Sequence, residues 1–454
     1  MTSLPMKFLA AALLLATAPL SSFAAEAPAF AWMSHGTGAK NGKTRAICFD
    51  REGNVFLAGE MTGDASFGEL QVKSKGAMDF VLVKVDKDGH FQWARNLGGS
   101  LVDRAYGVVA DKVGNAYVTG HYQSTDAMVE GKALPNAGDY DIFVAKYSPK
   151  GDLLWVRTAG GKGYDYGHGI ALDSHGDVIV TGAVLGESKF GEITVPGAGR
   201  PIFCAKYDAN GTLKWVKASE GKDSSSGHGV ALDGSDNIYL GGSTSGAGTF
   251  GGLPLSTAKG QSTLLIKLDS DGKAQWVRTC AGAGAHELTV DSSGRAWIAG
   301  MFKGEATVGD TVYHTTGDKD NDGLLAHYSA SGDLQWSRVI QGPAVDYCLG
   351  VATDNKGTIF VTGEFSATST FAGQTLVSKG ATDIYVAALD SKGALQWLVQ
   401  AGGPKGDNAY TMVWHPERGL VFGGSCTLPG TFGSKTYEGD AGGTNMYGAR
   451  LELK

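Results

Sequence analysis

The segment HGIALDSHGDVIVTG (168–182), followed after a connection of nearly twenty residues by IFCAKYDANGTLKWVKA (202–218), decides the fold. It holds four short apolar runs: HGIALD (168–173), DVIVTG (177–182), IFCAKYD (202–208) and TLKWVKA (212–218). They are rich in β-branched and aromatic residues and punctuated by Asp and Gly, which is the chemistry of strands joined by hairpins. The tight connections have the form D-x-x-G, in which the Asp side chain caps the turn and Gly takes the positive-φ position. The same turn recurs as Asp50 to Gly53, Asp111 to Gly114 and Asp354 to Gly357, and as Asp86 to Gly89, Asp208 to Gly211 and Asp390 to Gly393. No helical pattern of useful length is present.

Working outward, the fourth run carries a tryptophan that marks a period. Trp32, Trp93, Trp155, Trp215, Trp276, Trp336 and Trp397 follow one another at 61, 62, 60, 61, 60 and 61 residues. Regularity over the whole chain overrides the two or three domains that 454 residues would otherwise suggest. Four antiparallel strands repeated radially make a β-propeller, and seven copies predict an all-β, seven-bladed one. The frame is offset: the repeats begin with a fourth-strand sequence around Trp32 and end with the third-strand sequence MYGARLELK (446–454). The N-terminal strand is therefore expected to complete the last blade and close the ring, which makes residues 28–36 structurally required.

The N-terminus reads as a signal peptide, residues 1–24. Lys7 is its charged region, FLAAALLLATAPL (8–20) its apolar region, and Ser22-Phe23-Ala24 its cleavage site. Met6-Lys7 resembles a more usual start than Met1. Residues 25–454 are then one propeller domain, expected to be a soluble monomer in a periplasm or outside the cell, without membrane insertion. The net charge is −7 with no Lys/Arg cluster, which argues against nucleic acid as a partner. Five cysteines, Cys48, Cys204, Cys280, Cys348 and Cys426, stand mostly where other copies have Ala, Val or Leu, and read as small buried hydrophobes. Cys48 with Cys426 is the pair that could join the first and last blades.

The pattern DKVGNAYVTG (111–120), DIFVAKY (141–147) and GDLLW (151–155) resembles the bacterial SBBP β-propeller repeat family. The copies AHELTVDSSGRAWIAG (285–300) and YTMVWHPERGLVFGG (410–424) depart from it most. The resemblance implies a propeller in a secreted or surface protein and implies no particular chemistry.

Function on a rigid scaffold sits on its varied loops, here the long second-to-third connections, and so at the channel mouth on that face. Aligning the first strands gives a ring: Arg45, Tyr106, His168, His228, His286, Leu349 and Tyr410. Three residues earlier stand Asp103, Asp165, Asp346 and Asp407, with Ser225 in the fourth copy, and at the ends of second strands stand Glu60, His121 and Glu364. For the three histidines two readings are open: a metal or acid–base site on one arc of the channel, or wall residues hydrogen-bonded to backbone and water between blades. For the aspartates the alternative to a site is a carboxylate accepting backbone N–H bonds in the turn between blades. A further acid precedes the third strand as Asp79, Asp141, Asp322 and Asp383, with Asn445 in the last copy, and reads as a fold-building contact. Asp318, Asp320 and Asp322 form a D-x-D-x-D-G run suited to calcium, although the position of the closing carboxylate is Ser329. No other cofactor is expected.

G-x-S-x-G, H-E-x-x-H and P-loop motifs are absent. The leading expectation is a binding or scaffold protein for a polysaccharide, peptide or protein ligand. The alternative is a lyase or hydrolase acting on an extracellular polymer or lactone through the His/Tyr/Asp/Arg mouth.

Overall fold

The computed structural model describes residues 27–222, 224–255, 260–317, 320–439 and 443–453, and no helix occurs among them. The expected signal peptide lies outside the described residues. The deciding segment forms Tyr166–Leu172, Val178–Ala183, Ile202–Tyr207 and Leu213–Ala218, paired antiparallel in that order. The same order recurs in every copy, for example in Asn41–Phe49, Val55–Thr62, Asp79–Val85 and Phe91–Leu97. One boundary differs from the expectation. The fourth strand of the fourth copy and the first strand of the fifth run on as one strand, Ala274–Val290, because Gly282 at φ +80° turns the chain without ending the ladder. The last copy consists of Asn408–His415, Gly419–Cys426 and Asn445–Glu452, and Ala29–His35 pairs antiparallel along the outer side of Asn445–Glu452, with Met33 opposite Ala449.

The turn chemistry is as the sequence demands. Asp173 Oδ1 accepts the N–H groups of His175 and Asp177 at 3.0 and 2.9 Å, and Asp208 Oδ1 those of Asn210 and Thr212 at 2.9 and 2.8 Å. The periodic tryptophan has a structural task. Trp155 donates its indole N–H to Ala209 O in the next copy at 3.1 Å, and its ring lies so close that a Cβ on Gly211, φ +79°, would meet it at 3.0 Å. Trp93 and Trp336 make the equivalent bonds to Pro149 O and Ser391 O.

The apolar core lies between successive sheets: Tyr117, Ile142 and Val144 of the second copy pack with Val178, Val180 and Phe203 of the third. Successive copies are also tied by a recurring backbone bond at the start of the first strand. Asp103 N–H donates to Met78 O at 2.9 Å, and Asp165 and Asp407 donate to Tyr140 O and Thr382 O at 3.0 Å. A bond of the same kind, from Gly42 N–H to Thr444 O at 2.8 Å, joins the last copy to the first. All five cysteines are buried free thiols, so Cys48 and Cys426 form no bridge: each sits in a different apolar cluster.

Candidate functional site: a ring of bulged residues and a tyrosine–arginine mouth

In every first strand the register slips at one residue. Pairing passes from Thr44 to Ala46, from Ala105 to Gly107, from Gly167 to Gly169, from Gly227 to Gly229, from Ala285 to Glu287, from Cys348 to Gly350 and from Ala409 to Thr411. The residues left out of the ladder are Arg45, Tyr106, His168, His228, His286, Leu349 and Tyr410, the ring that the alignment of copies gives. A bulge re-aims its extra side chain, and here it does so in each copy at the same place.

All of them except Leu349 line one cavity of about 100 Å³, and Leu349 adds its carbonyl at the wall. The Arg45 guanidinium lies 5.5 Å from the Tyr106 ring and 5.0 Å from Tyr410. Tyr106 stacks on His168 at 4.5 Å, and His168 meets His228 at 5.0 Å. The imidazoles are held by the wall: His168 Nδ1 is 2.7 Å from His228 O, His286 Nδ1 3.0 Å from Leu349 O, and His228 Nε2 2.8 Å from Ser226 Oγ. Burial holds all three neutral, His228 down to about 3 and His286 to about 4. Beside the ring stands Glu287, whose Oε1 accepts from the Thr411 hydroxyl at 3.2 Å and Oε2 from Val351 N–H at 3.3 Å. Burial pushes its carboxyl up to about 8.

At the end carrying the long connections, Glu60 is 1% exposed and pairs with Arg45 at 2.8 Å and Arg104 at 3.5 Å. His121, also 1% exposed, has neither ring nitrogen hydrogen-bonded. It is boxed by Tyr106, Tyr140, Tyr164 and Tyr166 at 5.3, 5.0, 5.5 and 6.3 Å. Burial, with Arg104 and Arg45 nearby, drives it down to about 3. Arg200 lies over Tyr164 and Tyr166 at 5.6 and 5.0 Å. Tyr106, Tyr140, Tyr164, Arg104 and Arg200 are all half-exposed. Glu364 is buried and raised to about 7 by that burial, with Lys43 opposing the shift.

The first-strand aspartates are engaged in the turn between copies. Asp103 accepts Gly99 N–H at 2.9 Å and Ser124 Oγ–H at 2.7 Å, Asp165 accepts Gly161 and Leu185 N–H at 2.6 Å, Asp407 accepts Gly403 and Thr427 N–H at 2.8 Å, and Asp346 accepts Ser369 Oγ–H at 2.6 Å. Each meets the third-strand acid of the preceding copy. A Cβ on Gly98 would lie 2.0 Å from Asp79 Oδ1 and 3.2 Å from Asp103 Oδ2; on Gly160, 2.1 Å from Asp141 and 3.1 Å from Asp165; on Gly402, 2.2 Å from Asp383 and 3.1 Å from Asp407. The Oδ1 atoms of Asp79, Asp141, Asp322 and Asp383 are buried without a hydrogen-bond partner. Burial raises Asp141, Asp322 and Asp407 to about 6 and Asp346 to about 7, with Asp165 adding to Asp141, Asp320 to Asp322, Asp383 to Asp407, and Asp322 and Asp320 to Asp346.

Asp318 lies outside the described residues. Asp322 stands on the strand Asn321–Tyr328 and accepts Thr316 N–H at 3.1 Å, as Asp79 and Asp141 accept the N–H groups of Lys75 and Ala137, and the Asp320 carboxylate lies near enough to act on it. Among the described residues no three His, Cys, Asp or Glu side chains are grouped to hold a metal ion. Sequence reading missed Glu287, Arg104, Arg200, Tyr140 and Tyr164. For Glu287 a signal exists: one step past the ring the other copies have Ala46, Gly107, Gly169, Gly229, Gly350 and Thr411.

The model of the SBBP β-propeller repeat matches residues 92–121. An uncharacterised WD repeat-containing protein of Acanthamoeba polyphaga mimivirus is 23% identical over 410 residues, 71% of this chain and 29% of the relative. The regulatory protein FlaEY of Caulobacter vibrioides is 25% identical over 171 residues, 36% of this chain and 18% of the relative. The chain thus spans less than a third of either relative. Among solved structures, an apocarotenoid oxygenase of Synechocystis covers 93% of both chains at 9% identity and TM-score 0.42. A GH43 protein of Bacillus licheniformis covers 92% of this chain and 94% of its own at 10% identity and TM-score 0.29. The match at residues 92–121 and the similarity to a WD repeat-containing protein support a β-propeller repeat in this chain.

Proposed function

We propose that residues 25–454 form one closed, seven-bladed propeller, secreted after loss of residues 1–24, that binds a polymeric ligand on the face of the long second-to-third connections. The bond from Gly42 to Thr444 and the pairing of Ala29–His35 with the last copy support closure. The observation that carries the binding reading is the division of labour at the channel. The ring histidines His168, His228 and His286 and the first-strand aspartates are engaged by backbone and serine hydroxyls of the wall, while Tyr106, Tyr140, Tyr164, Arg104 and Arg200 stand half-exposed at one mouth. Aromatic faces and guanidinium forks bind and orient, and neither is an acid–base pair. The test is a glycan and peptide array probed with the wild-type protein and with the double variant Tyr140→Ala/Tyr164→Ala. Binding that the double variant loses while keeping its melting temperature supports the reading, and binding that it keeps overturns the assignment to this mouth.

The second reading, a lyase or hydrolase on an extracellular polymer or lactone, has one observation in its favour: Glu364 is held near 7 at the mouth, a value suited to general acid–base work. Substituting His168 and His228 with Ala, and leaving Tyr106 in place, separates the two. An enzyme using the channel loses turnover with its fold intact, whereas a binder at the outer tyrosines is little changed.

A further inference from the structure

The mouth carries charge that its own acids do not neutralise. Lys43, Arg45, Arg104 and Arg200 converge there on a chain whose net charge is −7. Arg45 and Arg104 share one buried counter-ion, Glu60, and Lys43 and Arg200 have no salt bridge among the described residues. The local field is felt by the neighbours. Lys43 is lowered from its ordinary value by burial and then by Arg45 and Arg104, with Glu60 and Glu364 only partly opposing. A surplus of cations beside half-exposed aromatic rings selects a ligand that is anionic and has a flat or ring-shaped body.

The geometry points, we infer, to a carboxylate-bearing sugar: the mouth takes an acidic polysaccharide, with uronate rings on Tyr106, Tyr140 and Tyr164 and their carboxylates on Arg104 and Arg200. This rests on the binding reading above and names its ligand class. A sugar is favoured over an acidic peptide because the backbone at this mouth is already paired. The N–H groups of Asp103, Asp165 and Ser225 donate to Met78, Tyr140 and Arg200 of the preceding copies, so these first-strand N–H groups are not free to receive an extended peptide. The channel cavity of about 100 Å³ has room for a carboxylate and a water or two but not for a polymer, so the chain of the ligand runs across the mouth and not through it.

The experiment is calorimetric titration of the purified full-length protein at pH 6.5 and low salt with three probes: hexagalacturonate, its fully methyl-esterified form, and a hexaglutamate peptide. The expected result is that the acid sugar binds, that the ester binds at least about tenfold more weakly, and that Arg104→Gln and Arg200→Gln each weaken the acid sugar about three- to tenfold while the ester is unaffected. Both arginines are half-exposed, so the variants should fold, and a melting curve checks this. Equal binding of acid and ester would overturn the charge selection and leave a sugar-binding mouth. Hexaglutamate bound as tightly as the acid sugar, and lost in the same variants, would overturn the sugar and leave an anion site. No binding to any of the three would overturn the inference outright, while the tyrosine double variant on the array still decides the reading beneath it.

Discussion

Glu287 Oε1 lies 3.2 Å from the hydroxyl of Thr411, two copies further along the chain, so one carboxyl links separate sheets in the wall of the cavity. Its raised value, about 8, means that it is largely protonated at neutral pH, in a place where its oxygens accept from the Thr411 hydroxyl and Val351 N–H. Glu287→Gln keeps the shape without the charge: its oxygen can accept from Val351 N–H and its amide can donate to the Thr411 hydroxyl oxygen. The variant should match the wild-type melting temperature at pH 6.5 and exceed it at pH 9, whereas Glu287→Ala should cost about 1–3 kcal/mol at either pH. Thermal scans of the three proteins at both values check this.

Stability as a whole should fall as pH rises from 6.5 to 8.5. Glu364 and Asp346 are raised to about 7 and Glu287 to about 8, all by burial. For a carboxyl whose folded value is raised, the folded state binds the extra proton, so its contribution is complete below the unfolded value and is lost as pH rises through the folded one. The histidines act in the opposite sense but lower down. His121, His228 and His286 are depressed to about 3–4, so their effect appears only as pH drops below the ordinary histidine value. Denaturant midpoints across pH 4–9 should therefore peak near 6, and a midpoint still climbing at pH 8.5 would contradict the carboxyl assignments.

Glu60 is the buried counter-ion of two arginines. Removing it as Glu60→Ala leaves Arg45 and Arg104 facing each other and should cost about 3–5 kcal/mol, while Arg104→Gln, at a half-exposed position, should cost about 1 kcal/mol or less. Urea titrations of the two variants measure the asymmetry.

The tryptophan latch gives a test of the repeat. Trp155→Ala empties a packed ring site and removes the bond to Ala209, at a cost of about 3–5 kcal/mol. Gly211→Val places a β-branched side chain at φ +79° against Trp155 and should destabilise too, whereas the same change at Gly186, at φ +85° in open space, carries the backbone strain alone. The difference between the two valine variants isolates the contact.

All five thiols should be inert to an aromatic disulfide reagent in the native protein and react together after denaturation. Each is buried, and burial raises every one, Cys348 to about 12. A thiol labelled rapidly without denaturant would show that its strand opens locally.

The sequence by itself determined the strands, their turns and the residues of the ring. D-x-x-G turns and the tryptophan period are local signals, and tandem copies can be laid over one another, so Arg45, Tyr106, His168, His228, His286 and Tyr410 fall at one position without any structure. For Asp103, Asp165 and Asp407 it offered a site and, as the alternative, a carboxylate accepting backbone N–H bonds in the turn, and bonds of that second kind are present. What only the tertiary structure decided is everything that depends on contact between copies. The register slip that turns the ring residues out of their ladders leaves no mark in composition. The meeting of Asp79 with Asp103, the sharing of Glu60 by two arginines and the reach of Glu287 to Thr411 join residues from 15 to 124 positions apart. Periodicity along one chain reports which face of a strand is buried; it carries no information on which side chain of the next sheet that face will meet, and the mouth is made of those meetings.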